Sequence, residues 1–203
     1  MAALGGKLPL GQLGTTYMRD LVTAVAVLAA IPTSAQAQSN LESGFAGALR
    51  GCEEWVLEPA SWTDGTAPFV KAVGLGDQMG LVDRVDEVNL PPEQLRQGNH
   101  FWRINSSPGA GYVLVVSDQL PMCHITGGGN ADLEPAVETV LTSAGFRGRW
   151  EQLKHVSKGD MASTQFRNRD DPRLSIIISR AKHAGERLDR VQVIATATYD
   201  TSK

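Results

Sequence analysis

Apolar residues along the chain change spacing twice, and each spacing predicts a different element. Leu41, Phe45, Ala48, Leu49, Cys52 and Val56 stand three or four apart, which predicts a helix from Leu41 to Val56 with one apolar stripe. Asn40 is the expected N-cap and Glu58-Pro59 the stop, while Gly51 should weaken the helix by about 1 kcal/mol relative to alanine. Thr66 or Asp64 would cap a short helix from Pro68 to Val73, closed by Gly74. The stretch from Leu75 to Val88 is acidic, holds Gly76 and Gly80, and shows no clear period. Pro91 and Pro92 suit the start of a single helical turn reaching Gln97.

The period then shortens to two. His100 to Asn105 and Tyr112 to Val116 read as strands joined by a Ser/Pro/Gly turn. Tyr112 to Val116 is apolar on both faces, which suits a central strand. Met122 to Thr126 would be a third strand, ended by Gly127-Gly128-Gly129.

Helical spacing returns from Leu133 to Ala144, where Leu133, Val137, Val140, Leu141 and Ala144 form one stripe. Asn130 or Asp132 is the expected cap and Gly145 the stop. Further strands are expected at Arg149 to His155, Met161 to Asn168, Leu174 to Ser179 and Arg190 to Tyr199. In the last of these Val191, Val193, Ala195, Ala197 and Tyr199 alternate with Arg190, Gln192, Ile194, Thr196 and Thr198, so one face should be the more buried. Short links favour antiparallel pairing. The expected class is therefore α+β: an antiparallel sheet packed on one face by an N-terminal helix and a central helix.

Upstream of this pattern lies an uncharged apolar run of 11 residues, Leu21 to Ile31. A membrane-spanning helix needs about 20 residues, so the run fits the core of a secretory signal better than an anchor or a buried helix. Ala35-Gln36-Ala37 follows with small residues at both positions that signal peptidase reads, which places cleavage between Ala37 and Gln38. Met18, just before Arg19, would give a signal of conventional length, so residues 1–17 read either as an overextended gene start or as a real extension. Residues 1–37 are thus expected to be a signal peptide and residues 38–203 one domain, in the periplasm or secreted, with no transmembrane anchor after processing.

Export changes the reading of the cysteines. The chain has two, Cys52 and Cys123. An even count in an oxidising compartment points to a disulfide rather than to buried thiols or a catalytic thiolate. Both sit on expected apolar faces, and the bond would pin the first helix to the sheet.

The net charge of −3 hides an uneven distribution. Residues 41–140 carry 14 acidic and 5 basic side chains, whereas residues 141–199 carry 6 acidic and 11 basic ones. Arg167, Arg169, Arg173 and Arg180 are the candidate binding residues. They offer a basic face to an acidic protein or cell-envelope component, unless the two halves simply neutralise each other. Export and the acidic balance argue against nucleic acid.

Local motifs add little chemistry. Gly127-Gly128-Gly129-Asn130 leads into a helix, but Asp132 and Glu134 in its first turn would repel a phosphate. The four histidines show no zinc-ligand spacing, so no metal or other cofactor is expected. Ser179-Arg180-Ala181-Lys182 has the SxxK spacing without its partner motifs and in a strand instead of a helix. A non-catalytic binding or accessory domain is the expected function. The alternative is a small periplasmic hydrolase with a site assembled in three dimensions, for which His124 and Asp118 are the candidate catalytic residues.

Overall fold

The apolar stripe of the first helix fixes how the fold is built. In this computed structural model, which describes residues 34–202, α1 (Ser34–Leu57) lays Leu41, Phe45, Leu49, Cys52 and Trp55 into the core. The helix already runs through Asn40, whose side chain accepts a hydrogen bond from Gln36 inside the helix, so Asn40 is not its cap. Gly51 has a packing reason to interrupt a good helix former. A Cβ there would stand 2.8 Å from Leu114 and 3.2 Å from Val73, so only glycine lets the helix lie this close to the sheet. A short α2 (Ala67–Val73) follows and closes on Gly74 in the left-handed conformation, as its sequence predicts.

Eight strands form one antiparallel sheet: β1 (Met79–Val82), β2 (Asn99–Ser107), β3 (Ala110–Ser117), β4 (Met122–Gly129), β5 (Trp150–Lys158), β6 (Met161–Asn168), β7 (Leu174–Ala181) and β8 (Val193–Tyr199). Their order is β1-β2-β3-β4-β8-β7-β6-β5. Two four-stranded meanders therefore meet at their last strands, with Ile125 opposite Ala195 at the seam. The register places Leu114, Cys123, Ala197, Ile176 and Phe166 on the face that the helices cover. The fold is α+β, as the spacing predicts, with α1 packed on β2, β3 and β4.

Several elements differ from the sequence expectation, each for a local reason. β1 is an added edge strand inside the acidic stretch; it is short and contains Gly80, so it shows no period. β4 does not stop at its glycines but runs through them. Tyr112 and Val193 close over Gly127, where a Cβ would come within 2.6 Å of each, so the strand needs glycine to keep pairing. The central helix divides into α3 (Glu134–Thr142) and α4 (Ala144–Arg149). Ser143 turns extended between them and its Oγ accepts from the Phe146 N–H, capping α4, so Gly145 lies within a helix instead of ending one.

The last strand begins at Val193, not Arg190, and just before it the side chain of Gln192 serves α3. Its buried carboxamide accepts from the Leu133 N–H at 2.8 Å and donates to the Ala131 carbonyl at 2.9 Å. The Asp132 carboxylate takes the next N–H, that of Glu134. The glycine-rich approach to α3 is thus a strand end whose following N–H groups already have partners.

Between β1 and β2 the chain crosses the face opposite the helices as a strap, residues 83–98. Thr126 on β4 donates to Asn89 in a 3-10 turn of this strap at 2.6 Å. Pro91 and Pro92 lead to a second 3-10 turn, Glu93–Leu95, where one helical turn is expected. The outermost strand β5 carries Lys154, Lys158 and a register shift between Gln152 and Lys154, features that discourage pairing with another sheet edge.

Candidate functional site

The disulfide joins Cys52 on α1 to Cys123 on β4, with Cα atoms 5.5 Å apart, and both side chains are fully buried. It makes no site of its own; it anchors the helix over the sheet.

His124, the next residue, points to the strap side of β4 and is 4% exposed. Its Nδ1 lies 2.9 Å from the Thr196 hydroxyl, and burial pushes its pKa down to about 4. Asp118 lies in the β3–β4 turn and pairs instead with His100, at 3.2 Å. The two candidate residues of the alternative hydrolase reading therefore have different partners. Among the described residues, no three His, Cys, Asp or Glu side chains are arranged to hold a metal ion.

The four candidate arginines also separate. Arg167 lies on the face opposite the helices, paired with Glu151 at 2.7 Å, and this bond holds the Glu151 carboxyl below its usual range. Arg173 grips Asp171 through two hydrogen bonds, at 3.0 and 2.8 Å, and sits 4.8 Å over the Tyr199 ring. The Arg173 hydrogen bond is the main reason the Asp171 pKa falls to about 2. Both guanidiniums are engaged locally.

Arg169 and Arg180, in contrast, converge on a groove of about 350 Å³ between α3, α4 and the outer strands. α4 supplies Phe146 and Arg147, β5 supplies Trp150 and Gln152, and β6 supplies Phe166. These aromatic rings pack on one another: Phe146 meets Phe166 edge-on at 5.0 Å and lies nearly parallel to Trp150 at 6.1 Å. Trp150 is held in turn by its indole N–H, which donates to Glu53 of α1 at 2.6 Å. Burial raises the Glu53 pKa, with the neighbouring Arg149 opposing it.

The charge of this groove is unbalanced. Arg180 donates to Glu138 of α3 and, at 3.0 Å, to Thr164. Arg169 uses its Nε on the Arg147 carbonyl at 3.2 Å, which leaves its two terminal nitrogens free of protein partners among the described residues. The Arg147 guanidinium has neither a hydrogen bond nor an ion pair among them. Three guanidiniums thus face one carboxylate beside an aromatic wall. Such a site can take an anion with a small apolar part: the fork-shaped donors match a carboxylate, phosphate or sulfonate, and the rings, buried but for 2% to 6% of their surface, offer only their edges to the rest.

Sequence reasoning picks out Arg169 and Arg180 but not Arg147 or the aromatic wall. The only local signal for these is Phe146 four residues before Trp150, across a helix-to-strand junction that the sequence does not reveal. No protein-family model, curated protein or solved structure matches the chain.

Proposed function

We propose that the chain is an exported, non-catalytic binding domain of the cell envelope that takes an anionic, partly apolar group of its partner into the groove beneath α4. The observation that carries this reading is the pairing of an aromatic wall with three guanidiniums and one carboxylate. The hydrolase alternative has less support, because His124 is buried against Thr196 and Asp118 is bound to His100. The disulfide is consistent with an oxidising compartment. No helix among the described residues is long and apolar enough to cross a membrane.

The groove is tested with anilinonaphthalene sulfonate, an aromatic anion that brightens in apolar sites. It should bind saturably, and Arg147→Glu with Arg169→Glu should weaken binding at least about tenfold, because two charge-assisted contacts are lost and two repulsions added. The effect should shrink as salt is raised, since part of the groove is open to solvent. Unchanged binding in a folded double variant would sink the reading.

Export requires its own test. The apolar signal core, Leu21 to Ile31, and Met18 lie outside the described residues. Ala35, Ala37 and Gln38 fall in the first turn of α1, ahead of Leu41, where the buried stripe begins. Among the described residues, cleavage there would remove helix but no buried residue. The intact mass of protein from the periplasm should correspond to an N-terminus at Gln38; a mass that retains Leu21 to Ile31 would rule this out.

A further inference from the structure

A second cleft, of about 560 Å³, lies on the opposite side of the sheet, between the strap and the β7–β8 connection. We propose that it binds an extended peptide segment that presents a carboxylate. The floor comes from the register: Gly111 on β3 stands directly across from Gly128 on β4, and both belong to the outward face. Each glycine has a structural cause. A Cβ at Gly111 would strike the Ile104 carbonyl beside the β2 bulge, and one at Gly128 would stand 3.2 Å from the Arg190 carbonyl. No side chain rises from the sheet at either position; the Arg190 carbonyl already lies over Gly128, so the bare main chain left open to a ligand is that around Gly111.

The walls suit short aliphatic side chains. Val88 of the strap is 67% exposed and Leu188 of the β7–β8 connection 41%, and both line the cleft from separate segments. Between them lie carboxamides, the guanidiniums of Arg103 and Arg190, and the exposed Asp189 carboxylate. Arg103 also lines the cleft, and its guanidinium has no hydrogen bond or ion pair among the described residues. Asn89 uses its carbonyl oxygen on Thr126 and keeps its amide N–H groups, while Asn105 adds a second carboxamide. Carboxamides match the alternating donor and acceptor of a peptide backbone, and a free guanidinium matches a carboxylate. Arg190, the other cation here, lies within 4 Å of both Asp160 and Asp189, so the cleft offers one uncommitted positive charge, enough for a carboxylate. A sugar site would be expected to offer an exposed aromatic face, whereas the one aromatic lining residue, Tyr112, is buried on the helix side.

The carboxylate can be a chain terminus or an acidic side chain, and titration with three peptides followed by amide NMR separates the two. The probes are an N-acetylated alanine–valine tetrapeptide with a free C-terminal carboxylate, the same peptide amidated, and an amidated version with one internal glutamate. At least one carboxylate peptide should bind about tenfold or more tighter than the neutral one, the size of one charge-assisted contact, and should shift the Gly111 and Gly128 amides. Which of them does so identifies the source. Arg103→Gln should erase that preference. Val113→Glu, on the half-buried cleft surface, should weaken carboxylate binding by repulsion even if Arg103→Gln fails to fold. Arg147→Glu with Arg169→Glu, in the groove beneath α4, should leave peptide binding unchanged, so the two sites stand or fall separately. The proposal is overturned if no peptide saturates at several millimolar, if the shifts lie elsewhere, or if folded Arg103→Gln keeps the preference.

Discussion

Replacing Cys52 and Cys123 together with alanine should lower the unfolding free energy by about 4 kcal/mol, read from urea denaturation with and without reductant. The two residues are 71 apart in sequence, so the bond closes a long loop and removes much freedom from the unfolded chain. The folded state should survive the change. Trp55 still donates to the Ser117 carbonyl at 2.8 Å, and Phe45, Leu49 and Trp55 remain buried against the sheet. Wild-type protein in reductant should behave like the variant. A loss below about 1 kcal/mol would mean that the unfolded chain is already restricted without the bond.

The second large effect is expected from His124. Its folded pKa of about 4 lies below the ordinary value of 6.5 because burial disfavours the charged ring. Between these values the unfolded chain takes up a proton that the folded protein refuses. Stability should therefore be full above pH 6.5, fall by about 3 kcal/mol as the pH drops to 4, and lose nothing more from this group below that. Asp171 makes its loss in a lower window, because its folded pKa is about 2. Glu53 and Glu134 have raised values and act with the opposite sign. Denaturation curves from pH 7 to 4 should show the fall in the wild type and a much flatter profile in His124→Leu. Equal slopes in the two proteins would show that the ring is solvated.

The fold is legible wherever burial imposes a simple period. The α1 stripe, the alternation in β8 and the two-faced apolarity of β3 all survive in the structure, because each side chain points where its spacing places it. The disulfide is legible for the same reason, since Cys52 and Cys123 each lie on a buried face. What escapes the sequence is set by contacts between distant residues. Gly127 looks like a strand end until Tyr112 is seen packed over it. Gln192 looks like an outward-facing strand residue until Leu133 and Ala131 are seen to claim its carboxamide. Arg167 and Arg180 are close in sequence, yet strand alternation sends them to opposite faces. The groove escapes for that reason too: Arg147, Arg169 and Phe166 come from three segments that meet only when α4 folds back on β5.

The joining of the two meanders at β4 and β8 bears on how the protein is made. When a chain emerges from its N-terminus, β1 to β4 and α1 can assemble, and both cysteines are already present in that half. Yet Met122–Gly129 then has no neighbour on one side, and its partner Val193–Tyr199 comes after all the other described strands in chain order. Until then the half-finished sheet offers an open row of backbone donors and acceptors flanked by buried-type residues, which is a template for sticking to other chains. Pairing of β8 with β4, which the disulfide between α1 and β4 does not supply, is what closes that row.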